Sequence, residues 1–270
     1  MTDPAVVADL APTGVLRASI NLGNPVLAQG TSDGPTGVTV DLSHAIAARL
    51  GVLASFACFD AARKSFEALT AGAADVAFLA IEPAREAEVT FTAAYVIIEG
   101  VYAVPDGSPI TTASEVDRPG VRVGVKEGSA YDLFLSRTLT HAKVVRGSDG
   151  IDVFREQGLE VAAGIRQPLS RHVANRPGLR LVEPRFMQIR QAIATTKDRT
   201  DTAIAFLREF VETVKANGFV RTHSLAQVRT RQSPRLAVMV RGRRGNRSRS
   251  SKGRLDAPLA SGMMFRCWSY

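Results

Sequence analysis

The chain has 270 residues, of which 45% are hydrophobic and 22% are charged, values typical of a globular protein with a sizeable core. No apolar run approaches the roughly 18–20 residues of a membrane span, and two Cys and four scattered His exclude a disulfide scaffold and a zinc-ligand spacing. The net charge of +8 resides in residues 226–270, which hold 11 of the 34 Lys and Arg and a single acid, Asp256. Residues 1–225 are close to neutral, so the body of the chain has no basic nucleic-acid-binding footprint.

The first hundred residues alternate between strand and helix patterns. Three predicted strands share an apolar character, over 15–22, 52–59 and 75–81. Two predicted helices separate them, over 42–50 with Asp41 as its N-cap and Gly51 as its end, and over 64–71. Strands that alternate with helices in this way predict a parallel sheet.

A second block repeats the pattern. Predicted strands cover 121–125, 143–146, 159–164 and 179–182, and predicted helices cover 129–139, 149–157 and 168–175. Extended stretches lie at 98–104, within a strand pattern over 95–104 that Gly100 breaks, and at 189–196, and a last helix covers 201–217. These features predict an α/β fold with two Rossmann-like lobes joined by two crossing hinge strands and a ligand cleft between them. Lobe 1 is expected over 14–100 with 195–225, and lobe 2 over 101–194.

The two ends of the chain differ from this body. Residues 226–270 keep no helical or strand period and predict a basic, disordered tail; a shifted reading frame and a tail that contacts RNA or membrane are the alternatives. The first ten residues lack the basic and apolar regions of a secretory signal. As written, the chain is therefore expected to stay in the cytoplasm, unless a signal was lost upstream.

Three segments in register carry a family resemblance: GVTVDLSHAIAARLGV (37–52), DVAFLAIEPAREAEVTFTAAY (75–95) and VRVGVKEGSAYDLFL (121–135). Over about 14–222 the chain resembles the family 3 solute-binding proteins of ABC transporters, the amino-acid-binding class with a type II periplasmic-binding-protein fold. The resemblance implies a monomer that captures a small polar solute, an amino acid or related organic acid, by hinge closure for uptake. It implies permease subunits as partners if the protein is exported, a periplasmic location, no cofactor, no metal and no catalytic step.

The resemblance also places ligand-binding residues in the first lobe. Arg85 matches the position that grips a ligand carboxylate, a role suited to its planar fork of donors. The alternative for Arg85 is a solvated arginine paired with Glu82, Glu86 or Glu88. The other first-lobe candidates follow strands, and they are Phe78, Leu79, Ala80, Asn21 and Asn24. For Phe78 the alternative is a core aromatic, and for the two Asn a turn-forming role.

The second lobe supplies the remaining candidates: Lys126, Ser129, Ala130, Tyr131, Arg166 and Gln167. Here the chain departs from the family, whose amino-acid-binding members usually place an Asp near 166 to hold the ligand ammonium. Because an unpaired buried ammonium is costly, an anionic solute competes with a plain α-amino acid as the expected ligand.

Two other functions remain open. One is a small lyase or dehydratase on the same fold, for which Glu82 and Glu127 are the carboxylates nearest the expected cleft. The other is a sensor that acts without a transporter. Neither a Ser/His/Asp arrangement nor a phosphate-binding glycine loop is present in the sequence.

Overall fold

A computed structural model of the chain describes residues 2–220. The first half contains, in order, α1 (Pro4–Leu10), β1 (Val15–Asn21), β2 (Gln29–Thr31), β3 (Gly34–Thr36), α2 (Val38–Leu50), β4 (Leu53–Phe59), α3 (Ala62–Thr70), β5 (Val76–Ala80), α4 (Pro83–Glu86) and β6 (Val89–Pro105). The second half contains a 3₁₀ turn (Ala113–Glu115), β7 (Arg122–Lys126), α5 (Ala130–Thr138), β8 (Lys143–Gly147), α6 (Gly150–Glu156), β9 (Val161–Ile165), α7 (Arg166–Ala174), β10 (Leu179–Thr196) and α8 (Asp201–Ala216).

Eight strands form one mixed sheet in the order β4-β1-β5-β10-β6-β9-β7-β8, and β2 and β3 form a separate hairpin. The strands β4, β1 and β5 are parallel to one another at one end, as are β9, β7 and β8 at the other. Between the two groups, β10 runs antiparallel to both β5 and β6. The predicted α/β fold with two crossing strands is therefore confirmed.

The two crossing strands are longer than predicted. β6 and β10 pair from Val89–Thr196 at one end to Pro105–Leu179 at the other, with a register shift between Val182 and Met187. The short stretches predicted at 98–104 and 189–196, and the separate strand at 179–182, are thus parts of two continuous strands. Mutual pairing supplies the backbone hydrogen bonds that carry β6 through Gly100, where a break was predicted.

Each group of parallel strands has its own apolar core. One cluster packs α2 and α8 against the first group and includes Leu16, Ile46 and Leu207, all fully buried. Another cluster joins β7, α5 and β9 and includes Val123 and Leu135. The exact lobe boundaries stay a prediction, and the tail predicted over 226–270 lies outside the described residues.

Helix α2 begins four residues before the predicted start. Gly37 is its N-cap, and Asp41 lies in its first turn and does not cap it, which corrects the prediction; the predicted end at Gly51 is confirmed. The backbone at 37 passes so close to the 27–28 turn that a Cβ there would lie 2.5 Å from the Leu27 carbonyl oxygen. Across residues 2–220, no helix combines the length and apolar character needed to cross a membrane.

Candidate ligand-binding cleft

Two strands from each parallel group, β1 and β5 from one and β7 and β9 from the other, have their carboxyl ends at one cavity. The last residue of each of β1, β5, β7 and β9 lines this cavity, whose volume is about 50 Å³, and these residues are Asn21, Ala80, Lys126 and Ile165. This edge of a parallel sheet is where α/β proteins place small ligands, because loops and helix N-termini converge there. Residues of both strand groups therefore face the same space.

Ten of the twelve ligand-binding candidates named from the sequence line this cavity. They are Asn21, Asn24, Phe78, Leu79, Ala80, Arg85, Lys126, Ser129, Ala130 and Tyr131. The other two, Arg166 and Gln167, do not line it. The Arg166 guanidinium instead pairs with Glu99 of β6 and Glu183 of β10, so its charge is already neutralised at the crossing strands.

Arg85 is a buried cation. It lies in α4, which Pro83 opens directly after β5, and only 3% of its surface is exposed. Its guanidinium donates to the carbonyl oxygens of Ala80 (3.2 Å) and Gly128 (3.0 Å). Within residues 2–220 no carboxylate forms an ion pair with it, which excludes the solvated arginine considered from the sequence.

Burial also changes the acidity of this guanidinium. Loss of water lowers the pKa of Arg85 to about 10, and the nearby charge of Glu82 opposes the shift only weakly. Arg85 is therefore protonated at neutral pH. A positive charge that is desolvated and lacks a counter-ion is a strong site for a carboxylate, which can accept two parallel hydrogen bonds from it.

Glu82, three residues earlier, is in the opposite situation. Its carboxylate is buried, but it pairs with Arg137 of α5 across the cleft. One of the three acids considered from the sequence as a partner of Arg85 is thus committed to another partner.

Lys126 reaches across the cleft from the end of β7. Its Nζ donates to the Asp60 carbonyl oxygen at 2.7 Å. The chain passes beneath it at Gly23, where a Cβ would lie 2.8 Å from Nζ and 1.9 Å from the Asp60 oxygen. Only glycine fits this approach, so the loop after β1 is closed tightly around the lysine.

The end of β5 and the start of α5 provide the backbone wall. Leu79 and Ala80 end a strand that is buried along its whole length. Phe78 lines the cavity and also packs edge-on against Tyr95 in the core, with ring centroids 6.1 Å apart, and its contact with a ligand stays a prediction. Opposite, Ser129 caps α5 by accepting from the Asp132 amide, and the first residues of this helix, Ala130 and Tyr131, line the cavity together with Ser129.

The two asparagines hold the loop and still face the cavity. Asn21 Oδ1 accepts from the Gly23 amide at 3.0 Å, and Asn24 Oδ1 accepts from the Val26 amide at 3.3 Å. Their amide nitrogens have no partner among residues 2–220, so the turn-forming role leaves a donor available on each.

Glu127, expected near the cleft as a carboxylate of an alternative enzyme, also lines the cavity, and the lining residues to which the sequence did not point are Gly23, Ala62, Ile165, Ile189 and Gln191. Gln191 lies in the middle of β10 and pairs with Ala80 of β5. The same strand also contains Gln188, so nothing in the local sequence singled out Gln191.

A second chamber continues from the first. It has a volume of about 330 Å³ and shares Gly23, Lys126, Tyr131 and Ile165 with the first cavity. Asp149, Asp152 and His172 also line it, and the His172 Nε2 is buried with no hydrogen-bond partner among residues 2–220. Burial lowers the pKa of His172. The cleft therefore has room for a solute larger than its carboxylate head.

The described residues contain no group of three or more His, Cys, Asp and Glu side chains able to hold a metal ion.

Comparisons with known proteins agree with this architecture. A sequence profile of the bacterial extracellular solute-binding proteins, family 3, matches residues 20–225. Members of this family bind small-molecule ligands and work with ABC transporters.

Among solved structures, the chain is similar to an amino acid ABC transporter substrate-binding protein from Streptococcus pneumoniae bound to L-arginine. That similarity has 14% identity and a TM-score of 0.69, and it covers 83% of this chain and 98% of that one. The ancestral amino acid-binding protein AncCDT-1, a precursor of cyclohexadienyl dehydratase, gives 18% identity and a TM-score of 0.67, covering 82% and 98% of the two chains. At such identities the similarity establishes the fold, a type II periplasmic-binding-protein fold.

A curated relative, the membrane-bound lytic murein transglycosylase F of Maricaulis maris, is 31% identical over 132 residues. The match covers 48% of this chain but only 29% of that protein. The profile match extends over most of the chain, and it shows that the chain belongs to the bacterial extracellular solute-binding proteins, family 3.

Proposed function

We propose that this protein captures a small solute bearing a carboxylate, an amino acid or related organic acid, and delivers it to an ABC-type importer. The observation that carries the proposal is Arg85, a buried guanidinium that lines the cavity and has no carboxylate partner within residues 2–220. A protonated arginine in that setting gains most from a ligand anion, because the charge has already lost its water.

Closure of the cleft would couple binding to a change of shape. Arg85 donates to Gly128, Lys126 donates to Asp60, and Arg137 pairs with Glu82, so three cations connect the two sides of the cleft. A ligand that contacts both sides stabilises the shut form over the open one by its extra contacts. A permease that recognises only the shut form would then receive loaded protein. In this role the working protein would be periplasmic.

A thermal-shift screen of the full chain tests the proposal. The panel pairs small carboxylic acids and amino acids with their uncharged primary amides. Saturation at 100 times the dissociation constant stabilises a protein by about 2.7 kcal/mol, which raises the melting temperature measurably. We expect acids to raise it and their matched amides not to. Equal shifts from acids and amides, or none from any acid, would contradict a carboxylate site.

A second candidate is a lyase or dehydratase on the same fold. It is favoured by Glu127, a carboxylate that lines the cavity next to Lys126, and by the similarity to a precursor of a dehydratase. Glu82 is the weaker acid candidate because Arg137 already pairs with it. Incubating the chain with each acid that binds and following the mixture by NMR separates the two functions. Turnover that Glu127→Gln abolishes would favour the enzyme, and unchanged ligand would favour capture.

A transporter-independent sensor would bind the same solutes. Uptake of the labelled solute by cells with and without the gene distinguishes it from transport, since a sensor leaves the uptake rate unchanged.

A further inference from the structure

We propose that the captured acid carries an uncharged polar group, a hydroxyl, carbonyl or carboxamide, beside its carboxylate in place of an ammonium, and that Gln191 and Asn24 recognise this group; the inference rests on the proposed function.

Gln191 is the first observation. It lines the cavity from β10, opposite Ala80, and only 6% of its surface is exposed. Its side-chain amide forms no hydrogen bond with any of residues 2–220. The amide atoms of Gln191 are open to the cavity, since the fully buried side-chain atoms without a partner within residues 2–220 belong to Tyr95, His172 and Arg199. Gln191 is therefore placed to pair with a bound solute.

Asn24 is the second observation, and it lines the same cavity from the loop after β1. It is 5% exposed, and its Oδ1 is used by the Val26 amide. The Nδ2 group has no partner among the described residues and remains a neutral donor. Together the two amides offer donors and an acceptor without any charge, which suits a hydroxyl, a carbonyl or a carboxamide.

The charges around the cavity disfavour an ammonium. Two cations line it, Arg85 and Lys126, and the one carboxylate among its lining residues, Glu127, is exposed and attracted to Arg63. Ile165 ends β9 with an apolar side chain at the cavity wall. A buried ammonium without an anionic partner is far more costly than a neutral group that the amides can satisfy.

The acids of the second chamber do not change this balance. Asp149 and Asp152 line that chamber and not the cavity around Arg85. Asp149 is also engaged at the start of α6, where it accepts from the Ile151 amide at 2.8 Å. They face the far end of a longer solute, away from the group next to its carboxylate.

Calorimetric titration of the full chain with matched acids tests the inference. The probes are propanoate, 2-hydroxypropanoate, 2-oxopropanoate and alanine, and the corresponding six-carbon set, so that only the group beside the carboxylate changes. We expect the hydroxy or oxo acid of one set to bind at least tenfold more tightly than the amino acid. Gln191→Leu, of similar volume, should weaken the hydroxy or oxo acid tenfold or more and change the plain acid less than twofold.

Gln191→Glu provides a second variant of the same shape, so that a folding defect in Gln191→Leu leaves the inference testable. Its added carboxylate should raise the affinity for the amino acid and lower that for the hydroxy acid. An amino acid that binds the unmodified chain as tightly as its hydroxy analogue, or a Gln191→Leu effect equal for all acids, would overturn the inference and leave the carboxylate site intact. If no acid of either set binds, the proposed carboxylate site fails and the inference fails with it.

Discussion

Arg85 and Arg137 flank the same glutamate in opposite electrostatic settings. Arg85 is buried with no carboxylate partner among residues 2–220, and Arg137 is half exposed and pairs with the buried Glu82. Because burial lowers the pKa of Arg85 to about 10 while the unfolded chain keeps the ordinary value, its charge destabilises the fold at every pH below about 10. That cost fades as the pH rises above 10.

Replacing Arg85 by Met should therefore stabilise the protein without ligand. At pH 7 we expect a gain of about 1–3 kcal/mol, because an apolar side chain of similar size avoids the desolvated charge. This corresponds to roughly 2–4 °C in Tm for each kcal/mol, measured by thermal denaturation. A lower Tm in Arg85→Met would show that the two carbonyl contacts of Arg85 outweigh the cost of its buried charge.

Arg137→Met is the matched control, with the opposite sign. It leaves the Glu82 carboxylate buried without a counter-ion, which is strongly destabilising. We expect its Tm to fall in the same experiment. Equal Tm shifts in Arg85→Met and Arg137→Met would mean that the Arg137–Glu82 ion pair does not make the two arginines differ in their effect on stability, and would contradict this account.

Single residues of the cavity could be predicted where a motif fixes them relative to a strand end. Arg85 follows β5 and Ser129 precedes α5, and both positions depend on local sequence alone. Arg166 likewise follows β9, but its partner Glu99 lies 67 residues away and is invisible in the local pattern. Gln191 was missed for the same reason, since the register that sets it opposite Ala80 comes from strand pairing.

At the level of elements, the crossing strands β6 and β10 hold the two strand groups together. For β10 the sequence indicated two separate stretches, 179–182 and 189–196, because the hydrophobic alternation fades at 183–186, where the strand register shifts. Phe186, beside the shift, stacks on Tyr102 of β6 with ring centroids 4.2 Å apart. Pairing between β6 and β10, which lie far apart in the sequence, makes each of them one continuous strand. The hydrophobic periodicity of a single segment carries no information about such pairing.

The close packing at this crossing predicts a cost for any side chain at position 100. A Cβ on Gly100 would lie 2.7 Å from Met187 Cγ and 2.9 Å from Phe186 Cζ. We expect Gly100→Ala to destabilise the fold by about 1–3 kcal/mol through overpacking, measured by denaturant unfolding.

Gly164→Ala is the control in the neighbouring strand β9. Its Cβ would meet only Leu169, at 3.6 Å, an ordinary van der Waals contact. We expect a change much smaller than that of Gly100→Ala. A neutral Gly100→Ala would indicate that the crossing strands yield easily, as a soft hinge would.

On the scale of the whole molecule, the two-lobed α/β plan could be predicted because each βα repeat is a local pattern with its own apolar core. The length and pairing of the crossing strands, and with them the shape of the cleft, depend on contacts between distant segments. The contacts Arg85–Gly128, Lys126–Asp60 and Arg137–Glu82 all bridge the cleft and belong to this long-range set.

The proposed hinge closure predicts that ligand binding makes the full chain more compact. We expect small-angle scattering to give a smaller radius of gyration at saturating ligand, because the shut cleft gains contacts from both sides. Arg85→Met should show no such decrease at the same ligand concentration. Identical scattering curves for the free and saturated unmodified chain would argue against hinge closure.

The most direct measurement is a calorimetric titration of the unmodified chain and of Arg85→Met with the best-binding acid. Loss of one partner from a buried, hydrogen-bonded charge pair costs about 2–5 kcal/mol in binding. Arg85→Met should therefore bind at least about thirtyfold more weakly while it stays folded with a raised Tm. An affinity within twofold of the unmodified chain would contradict the central claim that Arg85 holds the carboxylate of the solute.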